Sequence, residues 1–446
     1  MMLGNIFQQL YTVVDGRIIG RKIGSLGLAA TGGTDWLIFL VNGFLIGLIH
    51  GFSVILGKKF GEKDEEGYRA YYRKALGLCC VISLIFVVVL LLSTESLLSI
   101  IGTKPELFDL AKTYVSVIFL GTPFLVFYQF FAAVLRSRGN SQIPLMAMTV
   151  SSVCNIVLDL LFIVVFKMGI AGAALGTILS EGLVMVICGY HVINARKETS
   201  SPTDTDRLVD SIAKESDGGD AHIKRPAESG LQVIKQLLTV GLPMALQSVI
   251  TAIGGLIVTR CVNRYDISFI TGYNIAGNKI YALLEVAASS YAMAVVAYVS
   301  QNYGAGEKKR IRSGVRVSVL MGIATALVCS FIMICFGVDA MKFFVDPATA
   351  SDDIFAYGRE YLLILGIFYP LLYVLYIMRA ALQGLGNTVV PMISSFGQLI
   401  MRVTCALVLT IFIGARGIFF GEITAWILAD VILIATYIIT IRKEIK

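Results

Sequence analysis

Twelve apolar runs, each close to the roughly 20 residues that a helix needs to cross a bilayer, fill most of this 446-residue chain and constrain its fold more than any other feature. The first six lie at Leu3–Gly20, Trp36–Leu56, Ala75–Leu92, Tyr114–Leu135, Ile143–Phe166 and Ile170–Val192. After a polar interval come Ile234–Val262, Phe269–Tyr298, Val315–Phe336, Tyr361–Ala381, Val390–Ile413 and Ile418–Ile441. Inside lipid no water satisfies the backbone, so runs of this length read as membrane-spanning helices. Charged residues make up only 15% of the chain, against roughly 25% in a soluble domain. The 43 glycines suit helices that approach one another closely in lipid. The expected class is an all-α integral membrane protein of about twelve transmembrane helices.

The net charge of +7 does not point to nucleic acid, because the basic residues sit in short segments between the spans, where they set orientation. With a cytoplasmic start, one set of loops holds about 24 of the 37 Lys and Arg and the opposite set about 11. The rich set includes Lys58–Lys74, Arg136–Arg138, Lys308–Arg316 and Arg442–Lys446. Both termini are therefore expected in the cytoplasm, with the chain in the cell membrane and the lipid bilayer as its solvent. Met1–Leu10 lacks the basic region and cleavage site of a signal peptide, so the first span is expected to serve as the insertion signal. The stretch Ala195–Ser229 is rich in Ser, Asp, Lys, Glu and Thr, has no aromatic residue and is too polar to fold alone. It divides the chain into an expected N-lobe over 1–195, a cytoplasmic linker over 196–231 and a C-lobe over 232–446.

The eight cysteines show neither zinc spacing nor a secreted disulfide pattern. No Walker A loop, dinucleotide fingerprint, HExxH or nucleophile elbow occurs. The chain is accordingly expected to be neither an enzyme nor an ATP-driven pump, and to use no cofactor.

The two halves repeat. Val134–Pro144 (VLRSRGNSQIP) matches Ala381–Pro391 (ALQGLGNTVVP), which puts Gly139–Asn140 on Gly386–Asn387. Ile55–Glu66 resembles Val299–Arg310, with Gly61 on Gly304. Asn5–Ile19 lies against Met244–Val258, with Gln8 on Gln247, Thr12 on Thr251 and Gly16 on Gly255. Six spans per half is an even number, so the halves share an orientation and are expected to be related by an axis along the membrane normal.

These residues carry a family resemblance. SQNYGAGEKKR (Ser300–Arg310), the Gly-Asn-x-x-x-Pro turn of each half, QQLYTVVDGRIIG (Gln8–Gly20), NIVLDLLFI (Asn155–Ile163) and GIAGAALGTILS (Gly169–Ser180) resemble the multidrug and toxic compound extrusion (MATE) family, over essentially the whole chain. The resemblance implies a V-shaped molecule of two lobes, a central cavity and rocking between inward- and outward-open states. It implies antiport, with H+ or Na+ entering as an organic compound leaves. It also implies that Asp15, Asn155, Asp159 and Thr177 match the N-lobe cation site. Two features depart from the family pattern: members usually carry more sequence ahead of the position of Met1, and Glu181 stands where an uncharged polar residue is expected.

The residues themselves fit that role. An acid inside a span costs a few kcal/mol and needs a reason. Asn155 lies four residues before Asp159, on the same helical face, and Thr177 sits in the next, antiparallel span. With Asp15 they offer two carboxylates, an amide and a hydroxyl, a set suited to Na+ as a metal ligand set or to a shared proton. The plainer reading keeps Asp15 at the outer boundary and has Asp159 bond a neighbouring helix. In the second half Gly254 replaces Asp15, Arg402 occupies the position of Asn155 and Ala406 that of Asp159. Arg402 is expected to form a structural ion pair with Glu422.

Gln8, Tyr11, Tyr128, Gln247, Tyr273, Lys279 and Glu285 are candidates for the wall of the substrate cavity, and His50 reads as a core histidine. The expected substrate is a small cationic or amphipathic compound, and the expected transport unit a monomer. Two other functions compete. A lipid-linked oligosaccharide flippase of the same superfamily is disfavoured by the small number of Arg and Lys within spans. A non-transporting scaffold or receptor is disfavoured by the repeated halves and the clustered acids.

Overall fold

The structure is a computed structural model that describes residues 14–200, 229–345 and 351–445, and among these every regular element is helical. In the first half α1 (14–22) turns at Gly24, whose φ of 96° suits glycine. It is followed by α2 (Ser25–Gly61), α3 (Glu65–Ile100), α4 (Pro105–Ser137), α5 (Gln142–Val165) and α6 (Gly169–Ser200). The second half holds α7 (Gly230–Val262), α8 (Ile267–Gly304), α9 (Lys308–Phe344), α10 (Asp352–Gly384), α11 (Val389–Ile413) and α12 (Arg416–Ile445). Ten of these are long and apolar enough to span a membrane unaided. The bent helix α4 makes an eleventh, broken by 43° between Leu120 and Thr122. Gly121 and Pro123 explain the bend, since proline withholds an N–H and clashes with the preceding turn.

The repeat read from the sequence recurs bond for bond. At the end of α4 the Gly139 N–H donates to Arg136 and that of Asn140 to Leu135, both at 2.9 Å. At the end of α10 the Gly386 N–H donates to Gln383 at 2.9 Å and that of Asn387 to Leu382 at 3.0 Å. Both glycines have φ of 84°, the left-handed helix stop that glycine favours. Asn140 and Asn387 then accept from the N–H groups of Ile143 and Val390, at 3.2 and 3.3 Å, and so start the next helix.

Each half has its own apolar core. One is built from α2–α6 around Phe52, Tyr71, Phe119 and Phe130, the other from α7–α12 around Phe269, Tyr369, Tyr373, Phe419 and Trp426. The start of α7 contributes Val233, Leu237 and Ala245 to the first core, which ties the halves together. Large apolar side chains such as Leu84, Leu92, Phe331 and Ile411 stand exposed on the outer surface, where lipid would cover them.

The lobes meet along α2, which packs against α7 and α8. Glycines line this seam at Gly47, Gly51, Gly57 and Gly61. A Cβ on Gly47 would lie 2.6 Å from the Met244 carbonyl oxygen, and one on Gly51 would run into Gly241. Towards the end of the lobes Gly61 meets the backbone of Gln301, and Gly304 meets that of Lys58. Close helix approach through small residues four apart is the packing that a bilayer favours. Gln301 closes the same end by donating to the Ser137 carbonyl at 2.8 Å, and Tyr71 bonds Gln236 across the lobes.

Candidate functional site

α1, α5 and α6 converge on Asp159. Ile19, Ile163 and Ala173, one from each helix, pack into a small core beside it. Asp159 is fully buried, and Asn155 is 1% exposed one turn earlier. Asp15 faces Asp159 closely enough for the two carboxyl groups to share a hydrogen bond once one carries a proton. Among the described residues, Asp15 Oδ1, both carboxylate oxygens of Asp159 and both amide atoms of Asn155 are buried without a hydrogen-bond partner. Buried polar atoms are almost always paired, so this group of orphans has to be explained by a ligand or a proton. Thr177 donates to the Ala173 carbonyl at 3.2 Å, which leaves its oxygen lone pairs free.

Two local devices hold this geometry. Directly after Asp159 the helix changes to a π segment over Leu160–Val165, a distortion common at functional sites. On the facing helix Gly176 leaves the room that Asp159 needs, because any side chain there would collide with the carboxylate. Neither was read from the sequence. A glycine in a glycine-rich helix carries no signal of its own, and a π segment has no simple composition. Asp35 on α2 was also missed. It lies within electrostatic reach of Asp15 and of Lys279 on the opposite lobe.

The matching place in the second lobe is filled differently. Arg402 donates to Glu422 at 2.7 Å, and its Nη1 lies 3.8 Å from where a Cβ on Gly254 would stand. The glycine that replaces Asp15 thus leaves space beside a guanidinium. A π segment, Cys405–Leu409, again follows within a turn. The first lobe presents unpartnered acceptors where the second holds a permanent cation.

A second site lies between the lobes, a cavity that reaches the glycine seam at Gly47. Gln247 lines it, bonded to Gln383 at 3.1 Å. Tyr128, Tyr273, Lys279 and Glu285 are not among its walls. Tyr128 is buried within the first lobe. Tyr273 packs edge-on to Tyr361 and stacks on Phe419 in the second. Glu285 accepts the Tyr376 hydroxyl at 2.8 Å. Gln8 and Tyr11 lie outside the described residues. His50 lines the cavity rather than the core, and Arg136, counted with a basic loop, is a buried wall residue. Arg136 stands three residues before the turn glycine, and helix α4 runs up to that turn, so a linear count assigns it to the loop. Arg379, on α10, completes the basic lining.

Comparison with known proteins agrees with this architecture. The chain is 28% identical over 422 residues to the probable multidrug resistance protein YpnP of Bacillus subtilis, covering 94% of this chain and 88% of that one. It is 23% identical over 440 residues to the probable multidrug resistance protein NorM of Thermotoga maritima, covering 97% of this chain and 88% of that one. The solved structure of a MOP superfamily transporter from Pyrococcus furiosus superposes with a TM-score of 0.87 at 22% identity, over 100% of this chain and 94% of that one. The superposition takes in both lobes, so the chain has the V-shaped two-lobe fold of the MATE transporters. The MatE family model matches residues 1–161 and 243–430, most of both halves, and the chain therefore belongs to the MatE family of membrane transporters.

Proposed function

We propose that this chain is a secondary antiporter that expels an organic small molecule in exchange for H+ or Na+, with the exchangeable cation held by Asp15, Asn155, Asp159 and Thr177. The five buried, unpartnered polar atoms of Asp15, Asn155 and Asp159 carry the reading. Two facing carboxylates repel each other, and one proton or one Na+ between them removes that cost. The amide and hydroxyl oxygens complete a hard-donor set. Among the described residues no three His, Cys, Asp or Glu side chains converge, so the set suits a monovalent cation.

Cation binding would relieve the repulsion between Asp15 and Asp159, and its release would push α1 away from α5 and α6. The break at Gly24 frees α1 from α2, so that movement need not drag the seam helix. With the basic loops in the cytoplasm, the seam of Gly57, Gly61 and Gly304 closes the cytoplasmic end of the lobes. The names of the relatives, probable multidrug resistance proteins, support a drug-sized amphipathic substrate. Cavity and cation site both lie within one chain, which supports a monomeric transport unit.

The test is efflux from proteoliposomes with a pH gradient and a Na+ gradient imposed separately. One gradient should drive flux, and D15N and D159N should each abolish it while the protein remains folded. Wild-type flux in both variants would overturn the assignment.

A further inference from the structure

Two arginines and a histidine line the cavity between the lobes, and among the described residues no carboxylate does. Arg136 comes from α4 and Arg379 from α10, the pseudo-symmetric helices that lead into the two Gly-Asn turns. Arg136 is 9% exposed. Its Nη2 and the Nε of Arg379 are buried without a hydrogen-bond partner. Among the described residues neither guanidinium forms a salt bridge. The carboxylates nearest Arg379 are Glu285, which accepts from Tyr376, and Asp430, which stops short of an ion pair. Arg136 has Tyr128, Cys188 and His50 around it and no carboxylate.

A buried cation without a counter-charge, as Arg136 is, costs several kcal/mol, and a membrane bundle retains one where something comes to pair with it. Arg379 feels Asp430 and Glu285 and donates from Nη2 to Ser395 at 3.4 Å, which leaves its Nε unpartnered. The guanidinium fork fits a carboxylate or phosphate through two parallel hydrogen bonds. Met244, Met293 and Val296 supply apolar, adaptable wall, and the Gln247–Gln383 pair adds a polar edge. An organic cation would meet two like charges there, which selects against it.

We infer that the interlobe cavity binds the anionic head of an amphipathic substrate, a carboxylate or phosphate, between Arg136 and Arg379, with His50 as a further donor. This rests on the transporter reading above and assigns its substrate a charge opposite to that expected from the sequence.

The test is binding to the purified full chain in neutral detergent, followed by fluorescence anisotropy, with carboxyfluorescein as the anionic probe and ethidium as the cationic one. Carboxyfluorescein should bind saturably and more tightly than ethidium. R136Q and R379Q should each weaken it about tenfold or more, while R136K and R379K, which keep the charge and lose the fork, weaken it less, and ethidium binding stays where it was. A melting curve checks the fold of each variant, and the Lys variants preserve the comparison if a Gln variant unfolds. Tighter binding of ethidium, or carboxyfluorescein binding unmoved by R136Q and R379Q, overturns the inference. Phosphatidylglycerol in mixed micelles, against phosphatidylcholine, separates the sources. Arginine-dependent competition by the anionic lipid with no dye bound assigns the site to a lipid head group, and dye binding without competition assigns it to a soluble organic anion. Binding of neither also overturns it. Liposomes that move neither dye under either gradient would refute antiport while leaving the binding result in place.

Discussion

Arg402 and Glu422 occupy in one lobe the place that an exchangeable cation is proposed to take in the other. Both side chains are largely buried, at 15% and 17% exposure. Their value to the fold is testable apart from transport. Removing one partner strands the other, so E422Q should destabilise the protein by about 3–5 kcal/mol, whereas the apolar double variant R402M/E422L should be close to neutral or more stable. Denaturant unfolding in detergent measures both. An E422Q protein as stable as wild type would show that the pair contributes little to the fold. The residues of this pair were legible in the sequence because the repeat alignment set Arg402 on Asn155 and exposed the asymmetry. Arg136 was not, because burial between two lobes is a tertiary fact that a hydropathy run does not record. Gly176 was not, because its meaning lies entirely in the Asp159 carboxylate opposite.

At the scale of single helices, the places of the spans were readable, and their ends and distortions were not. The apolar runs mark where lipid ends, but the helices run further: α2 has 37 residues, and its last turn carries Lys58 and Lys59 into the polar region. The π segments after Asp159 and Arg402 fall at matching places in the repeat. Shared by two lobes of which only one keeps the acids, the distortion belongs to the scaffold. It serves chemistry in the first lobe because Asp159 stands at its edge. A π segment carries one residue more than the α-helix it interrupts, so deleting one residue removes the bulge and restores regular α-helix there, while the flanking parts of the helix keep nearly their orientation. Deleting Leu161 should leave a folded protein without cation-driven flux, since the backbone directly after Asp159 would relax to regular α-helix and the carboxylate would lose its local setting. Deleting Leu407 from the corresponding segment should spare the response to cation. Equal loss in both, measured as flux in proteoliposomes, would mean that the π segment acts through packing alone.

For the whole molecule, the sequence made the two-fold plan plain through the turns it repeats, but the surface where the halves meet only emerges from the structure. Glycines at Gly47, Gly51, Gly57 and Gly61 looked like ordinary small residues of a membrane helix, and their spacing acquires meaning only against α7 and α8. The seam must separate if the cavity is to open at that end, so its packing sets the balance between the two states. Gly61 and Gly304 touch backbone on the facing lobe, which cannot yield as a flexible side chain can. Overpacking costs about 1–3 kcal/mol, and at this place the cost falls on the closed state alone. Gly61→Val or Gly304→Val should therefore shift the closed-to-open ratio by about 5- to 150-fold. Spin labels at the exposed positions Glu66 and Lys309, with the native cysteines replaced, report the separation of the two ends. The wild type should give a short distance that lengthens in either valine variant, and flux should fall because the closed half of the cycle is rarely reached. An unchanged distance with unchanged flux would place the gate elsewhere than this seam.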